Sequence, residues 1–143
     1  MSTEPNKTLV RQIPEEMFNK GNLAIADELF APNFSQHVQF PPGWPTGVAS
    51  VKQIVTMLRT AFPDFQYTIE DEIAEGDKVV MRLSARGTQL APFMGIPATG
   101  KQATWTEIHI ARIAEGKVAE HWANRDQLGL LQQLGAMPAP QPA

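Results

Sequence analysis

The order of hydropathy patterns along the chain predicts an α+β domain, with helices packed on one face of a curved antiparallel sheet. Three observations carry this. The first half repeats apolar residues at helical spacing. The second half alternates apolar and polar residues around two Gly-containing turns. The whole is 143 residues without a cysteine, a size at which one domain folds with no disulfide or metal staple.

The elements follow in order. Leu9, Val10, Ile13, Met17 and Phe18 form one helical stripe, and Pro14 inside it is expected to kink or break the helix. Gly21 and Asn22 end that stretch, and Asn22 is placed to cap a second helix, LAIADELF. The segment FAPNFSQHVQFPPGWPTG holds four prolines and two glycines and reads as a loop. Val51, Ile54, Val55, Leu58, Ala61 and Phe62 mark a third helix that Pro63 stops. Two strands then flank a turn at Glu75–Gly76, a Pro- and Gly-containing connection QLAPFMGIPATGK follows, and two more strands flank Glu115–Gly116. A short helix, QLGLLQQL, precedes Gly135. The domain is expected over 1–136. The tail Met137–Ala143, MPAPQPA, carries three of the 12 prolines and is expected to be disordered.

Twelve Lys plus Arg against 15 Asp plus Glu leave a net charge of −3, and no basic run argues for nucleic acid or an anionic membrane. No stretch approaches a membrane span, and MSTEPNKTLV lacks the pattern of a secretory leader, so a cytoplasmic location is expected. The three histidines match no HExxH spacing. The G-x-S-x-G setting of a serine hydrolase and the glycine-rich nucleotide motifs are absent.

The last hairpin gathers the residues that carry chemistry. With a two-residue loop at Glu115–Gly116, antiparallel register pairs Ala111 with Glu120, His109 with Trp122, Glu107 with Asn124 and Trp105 with Asp126, all on one face. Thr104, Thr106, Ile108, Ile110, Ala119, His121, Ala123 and Arg125 then share the other face, and His121 is expected to be structural or interfacial. Indoles beside carboxylates and an imidazole suit a part-apolar ligand cavity. A carboxylate desolvated by an indole has a raised pKa and serves as general acid or base near neutrality, work that a histidine can share. A one-residue bulge in either strand would exchange the faces of that strand. Each of these residues taken singly reads first as a packing or solvated side chain, and it is their shared face that brings a site to even terms with that reading. His37, in FSQHVQF, and the arginines Arg82 and Arg86 are open to surface roles as well as ligand contact.

The segments FNKGNLAIADELFAPNF, AFPDFQYTIEDEIAEGDKVVMRLSARGT, FMGIPATGK and GKVAEHWANRDQLGLLQQLG together resemble the SnoaL-like polyketide cyclase family, part of the nuclear transport factor 2-like superfamily. The resemblance implies a cone-shaped sheet closed by three N-terminal helices over an internal pocket. It implies a ring-closing aldol reaction on a small apolar or aromatic carbonyl substrate, with neither metal nor organic cofactor. On this resemblance Asp126 falls on the general base and His109 on the assisting histidine, while His37 matches a loop histidine common in such proteins. Trp105, Glu107, Trp122, Asn124 and His37 are then expected to bind substrate. A non-catalytic small-molecule binder with the same cone is the alternative, as is a related epoxide hydrolase, isomerase or dehydratase. A homodimer is expected through a strip of Ile108, Ile110, Ala119 and Ala123.

Overall fold

The computed structural model describes residues 3–138. The expected disordered tail lies, from residue 139 onward, outside the described residues.

Helix α1 spans Glu4–Gln12 and runs into a π-helical segment, Ile13–Phe18. Pro14 has no N–H to give its i−4 carbonyl, and the chain widens there instead of stopping. The N–H of Asn19 reaches back five residues to the Pro14 carbonyl at 2.9 Å. Pro14, Met17 and Phe18 are all buried as a result. The second helix is shorter than expected. α2 covers only Ala26–Leu29, and its cap position is Ile25, not Asn22. Helix α3, Val48–Ala61, buries Val51, Ile54, Val55, Leu58 and Ala61 on one stripe.

Five strands form one sheet in the order β1-β5-β4-β3-β2: β1 (Phe30–Gln36), β2 (Gln66–Glu75), β3 (Lys78–Thr88), β4 (Gln102–Ala114) and β5 (Lys117–Arg125). Strand β1 corrects the expected loop. It pairs parallel to β5 at the sheet edge, where Pro32 forfeits no internal ladder bond. The proline-rich surroundings hide it from periodicity. The remaining neighbours are antiparallel. The first hairpin loop is Gly76–Asp77, one residue later than expected, because Glu75 pairs with Lys78 and Gly76 takes the positive φ of 60°. The second is Glu115–Gly116 as expected, with φ values of 52° and 75°.

Two bulges bend the sheet. Glu70 is the extra residue where β2 passes β3, and Ala119 where β5 passes β4. The concave face carries Val79, Met81, Leu83 and Ala85 of β3 and Ala103, Trp105 and Ala111 of β4. Helices α1 and α3 and the π-helical segment close over it. Phe62, Phe65, Phe93 and Trp105 pack the narrow end, with ring centroids 5.3–6.0 Å apart. Gly87 lets Phe62 lie against the sheet, since a Cβ there would stand 2.7 Å from the Phe62 Cβ. Helix α4, Gln127–Gln133, returns along β4. No helix among the described residues is long and apolar enough to cross a membrane.

Candidate functional site

The Ala119 bulge decides which side chains meet. Up to Val118 the hairpin keeps its expected register, with Ala114 opposite Lys117 and Ile113 opposite Val118. Beyond it Arg112 pairs with Glu120, Ala111 with His121, His109 with Ala123 and Glu107 with Arg125. Every later β5 side chain therefore changes face. This corrects the expected constellation. His121, Ala123 and Arg125 join Trp105, Glu107 and His109 on the concave side, while Trp122, Asn124 and Asp126 lie on the convex side. Without the slip, Glu120, Trp122 and Asn124 would face inward in place of His121, Ala123 and Arg125.

Glu107 is the centre of the inner cluster, its side chain 1% exposed. Its carboxylate accepts the Tyr67 hydroxyl, the Trp105 Nε1–H and the His109 Nε2–H, each at 2.7 Å, and Arg125 Nε stands 3.9 Å away. Burial alone would push this carboxyl up. The hydrogen bond and charge of His109, the Arg125 guanidinium and the Tyr67 hydroxyl outweigh burial and hold it down at about 2. The raised carboxyl expected beside an indole is thus reversed, because His109, Arg125 and Tyr67 together outweigh the burial.

From Glu107 the contacts continue in a line. His109 Nδ1 meets His121 Nε2 at 2.7 Å, and His121 Nδ1 meets Gln36 Oε1 on β1. Burial pushes His121 well below the usual histidine range, and the charges of His109 and Arg125 act in the same direction. Burial, then the charge of Glu107, raises the Tyr67 phenol well above its ordinary value. His109, His121, Arg125, Gln36 and Tyr67 line a cavity otherwise walled by Val10, Ile13, Phe18, Val51, Ile54, Met81 and other apolar side chains. It is narrow, about 50 Å³, space for a few waters.

The other expected site residues lie outside this hollow. Asp126 is exposed, and its Oδ1 accepts the Gly129 N–H at 2.9 Å as the N-cap of α4. His37 stacks on Trp122, centroids 5.0 Å apart and planes 12° from parallel, and bonds Glu120 at 2.8 Å. Glu120 is shared with Arg112 at 2.6 Å. Asn124 is exposed on the same convex face. The expected dimer strip is broken likewise: Ile108 and Ile110 face outward, but Ala119 is buried in the bulge and Ala123 faces inward. Arg82 pairs with exposed Asp71 at 2.7 Å. Sequence reasoning missed Tyr67, Gln36, His121 and Arg125 as site residues. The last two follow from the bulge, and the first two sit on strands distant in sequence. Among the described residues, no group of three or more acidic or histidine side chains is disposed to hold a metal ion.

The chain as a whole resembles known proteins in sequence and fold. Residues 8–134 match the SnoaL-like polyketide cyclase family. The chain is similar to nogalonic acid methyl ester cyclase of Streptomyces nogalater, 29% identical over 119 residues that span 82% of this chain and 89% of that protein. It is similar to aklanonic acid methyl ester cyclase of Streptomyces peucetius, 37% identical over 82 residues, 57% of each chain. Among solved structures, TsrD from Streptomyces laurentii superposes with a TM-score of 0.86 at 28% identity, covering 96% of this chain and 99% of that one. IdmH from Streptomyces antibioticus gives 0.77 at 32% identity, covering 92% and 99%. A bent five-stranded sheet closed by helices over an apolar hollow, matched in sequence along nearly its whole length, makes this chain a member of the SnoaL-like polyketide cyclase family.

Proposed function

We propose that the chain closes a carbon ring by an intramolecular aldol reaction on a small apolar carbonyl compound, without metal or organic cofactor. Glu107, His109 and His121 would act as one acid–base relay. The observation that supports this is the unbroken line of short contacts from a buried, ionised carboxylate through two imidazoles to the wall of an apolar cavity. Glu107 has three donors and stays ionised, so it orients and charges the relay and does not itself take a substrate proton. His121 Nδ1 is the end that meets the cavity rim. In this reading it takes the proton from a carbon flanked by carbonyls. The carbanion then attacks a second carbonyl carbon of the same molecule, forming the ring bond. The resulting alkoxide receives a proton back from His121, so substrate and product have one mass. Such a group contributes on the order of 10²–10⁴-fold in rate. The base duty thereby moves from Asp126, whose carboxylate caps α4 on the far side of the sheet.

The cavity is narrower than a fused ring system, so the substrate enters by displacing side chains at the β1 rim, where Gln36 and Val38 stand. The substrate class is the one named for the two cyclases above, polyketide methyl esters. Incubating the protein with aklanonic acid methyl ester and nogalonic acid methyl ester should give an isomer of changed retention and unchanged mass. His121→Gln should lose that conversion while keeping the wild-type circular dichroism spectrum. Full turnover by a folded His121→Gln protein would sink the relay.

One observation favours a second reading, a non-catalytic binder. All four imidazole nitrogens of the pair already have protein partners or one another. A binder would show thermal stabilisation by these esters with no isomer formed. The homodimer belongs to the same proposal, with Ile108, Ile110 and Trp122 of the convex face as its contact. Light scattering at micromolar protein should return twice the chain mass, and a monomer would remove that part.

A further inference from the structure

We propose that Gln36 is a positioning residue that fixes the protonation state of the histidine pair, and that its amide oxygen holds the place of the substrate oxygen. The first half follows from counting protons along the line of contacts. At one end Glu107 is an acceptor, so His109 Nε2 must carry a hydrogen. At the other end Gln36 Oε1 is an acceptor, so His121 Nδ1 must carry one too. Between the rings His109 Nδ1 and His121 Nε2 stand 2.7 Å apart, a distance that two lone pairs do not tolerate, so one of them is also protonated. Two acceptor ends therefore require three ring protons, one more than two neutral imidazoles hold.

The surroundings agree with one positive charge and no more. Glu107 balances it from β4, Arg125 on β5 and His37 just beyond β1 oppose any second one, and Tyr67 on β2 contributes a neutral hydroxyl already given to Glu107. Strand β3 and the covering helices present only apolar side chains to the pair, among them Met81, Ile13 and Ile54. The burial-lowered pKa of His121 is in keeping with a pair that refuses a fourth proton.

Gln36 alone among these partners can reverse its role. Turned about its last bond, it would offer Nε2–H in place of Oε1, and the pair would then be satisfied with two protons and a lone pair at His121 Nδ1. With Oε1 inward the pair rests in its donating form, the form it has in the proposed reaction after His121 Nδ1 has taken the substrate proton; with the amide turned and the third proton lost, Nδ1 is bare and serves as the base. The chemical group that replaces Gln36 Oε1 is then another acceptor oxygen, a carbonyl or enolate, with an apolar body to match the cavity walls. This last step rests on the cyclase reading, whereas the proton count does not.

The test reads the rings directly. In ¹⁵N-labelled protein without substrate, with the His37 signals assigned by His37→Asn, the pair near neutral pH should show three protonated nitrogens and a bare His121 Nε2. Gln36→Glu should move the pH at which the third proton leaves upward by about one unit, a tenfold gain in proton affinity. Gln36→Leu and Gln36→Asn, which withdraw the acceptor, should move it downward. A wild-type pair holding two protons with His121 Nδ1 bare, or one midpoint shared by all four proteins, would overturn the proposal. Because no turnover is measured, a protein that converts no ester can still pass this test, and then the cyclase reading fails alone.

Discussion

A carboxylate that already accepts three hydrogen bonds at 2.7 Å has little capacity left for a substrate proton, and this governs what Glu107 can do. Its replacement by glutamine keeps the shape but removes the charge that three donors and Arg125 were arranged around. Glu107→Gln should lose about 3–5 kcal/mol in urea unfolding, the usual cost of breaking a buried charged set from one side. Gly87 is the other position where a single atom matters. An added methyl group would press on the Phe62 Cβ at 2.7 Å, with aromatic rings behind it. Gly87→Ala should cost about 1–3 kcal/mol by overpacking, read from the same unfolding curves.

At the scale of the element, strand β5 is where prediction from sequence stopped working. The strands β2, β3, β4 and β5, the helix α3 and the Glu115–Gly116 turn were legible, because alternation, helical spacing and turn chemistry each depend on near neighbours. The bulge was not, because Ala119 is extra only relative to β4, a pairing between strands that no local alternation along β5 reveals. Three inner residues, Trp105, Glu107 and His109, were legible on β4, which carries no slip before them. Trp122, Asn124 and Asp126 were misplaced as a set by the one displaced residue. Deleting Ala119 should close the bulge with Arg112 still opposite Glu120 and Ala111 still opposite His121. The inner cluster and the near-ultraviolet circular dichroism spectrum should then be kept, whereas a lost spectrum would mean that the pairing beyond the bulge depends on the extra residue. Asp126 belongs to α4, not to the hollow. Asp126→Ala should lose about 1 kcal/mol of stability through the lost cap. Asp126→Asn, which caps as well, should keep both stability and turnover, whereas loss of turnover in that variant would return Asp126 to the mechanism.

Across the whole molecule, the cone is closed by apolar packing, and the deeply buried charged cluster around Glu107 gives it a pH signature. The folded carboxyl of Glu107 sits at about 2, below the ordinary 4.5, so its stabilisation is complete above 4.5 and fades as pH falls towards 2. Thermal midpoints of the wild type should drop through that window, and those of Glu107→Gln should drop less. The fold class was readable from the order of patterns alone, since helices first and hairpins later leave few ways to bury both faces. The edge strand β1, which supplies Gln36, was not, because its pairing is parallel, irregular and interrupted by proline.

The chain contains a single tyrosine, and it is the one whose hydroxyl is given to the buried carboxylate. An alkaline spectrophotometric titration therefore has only one chromophore to report. With its phenol held well above the ordinary value by burial and by Glu107, the phenolate band should stay absent past the pH at which a free tyrosine ionises, and then emerge together with loss of the folded signal. A gradual rise in that band while the fold remains intact would mean that solvent reaches the innermost wall of the cone.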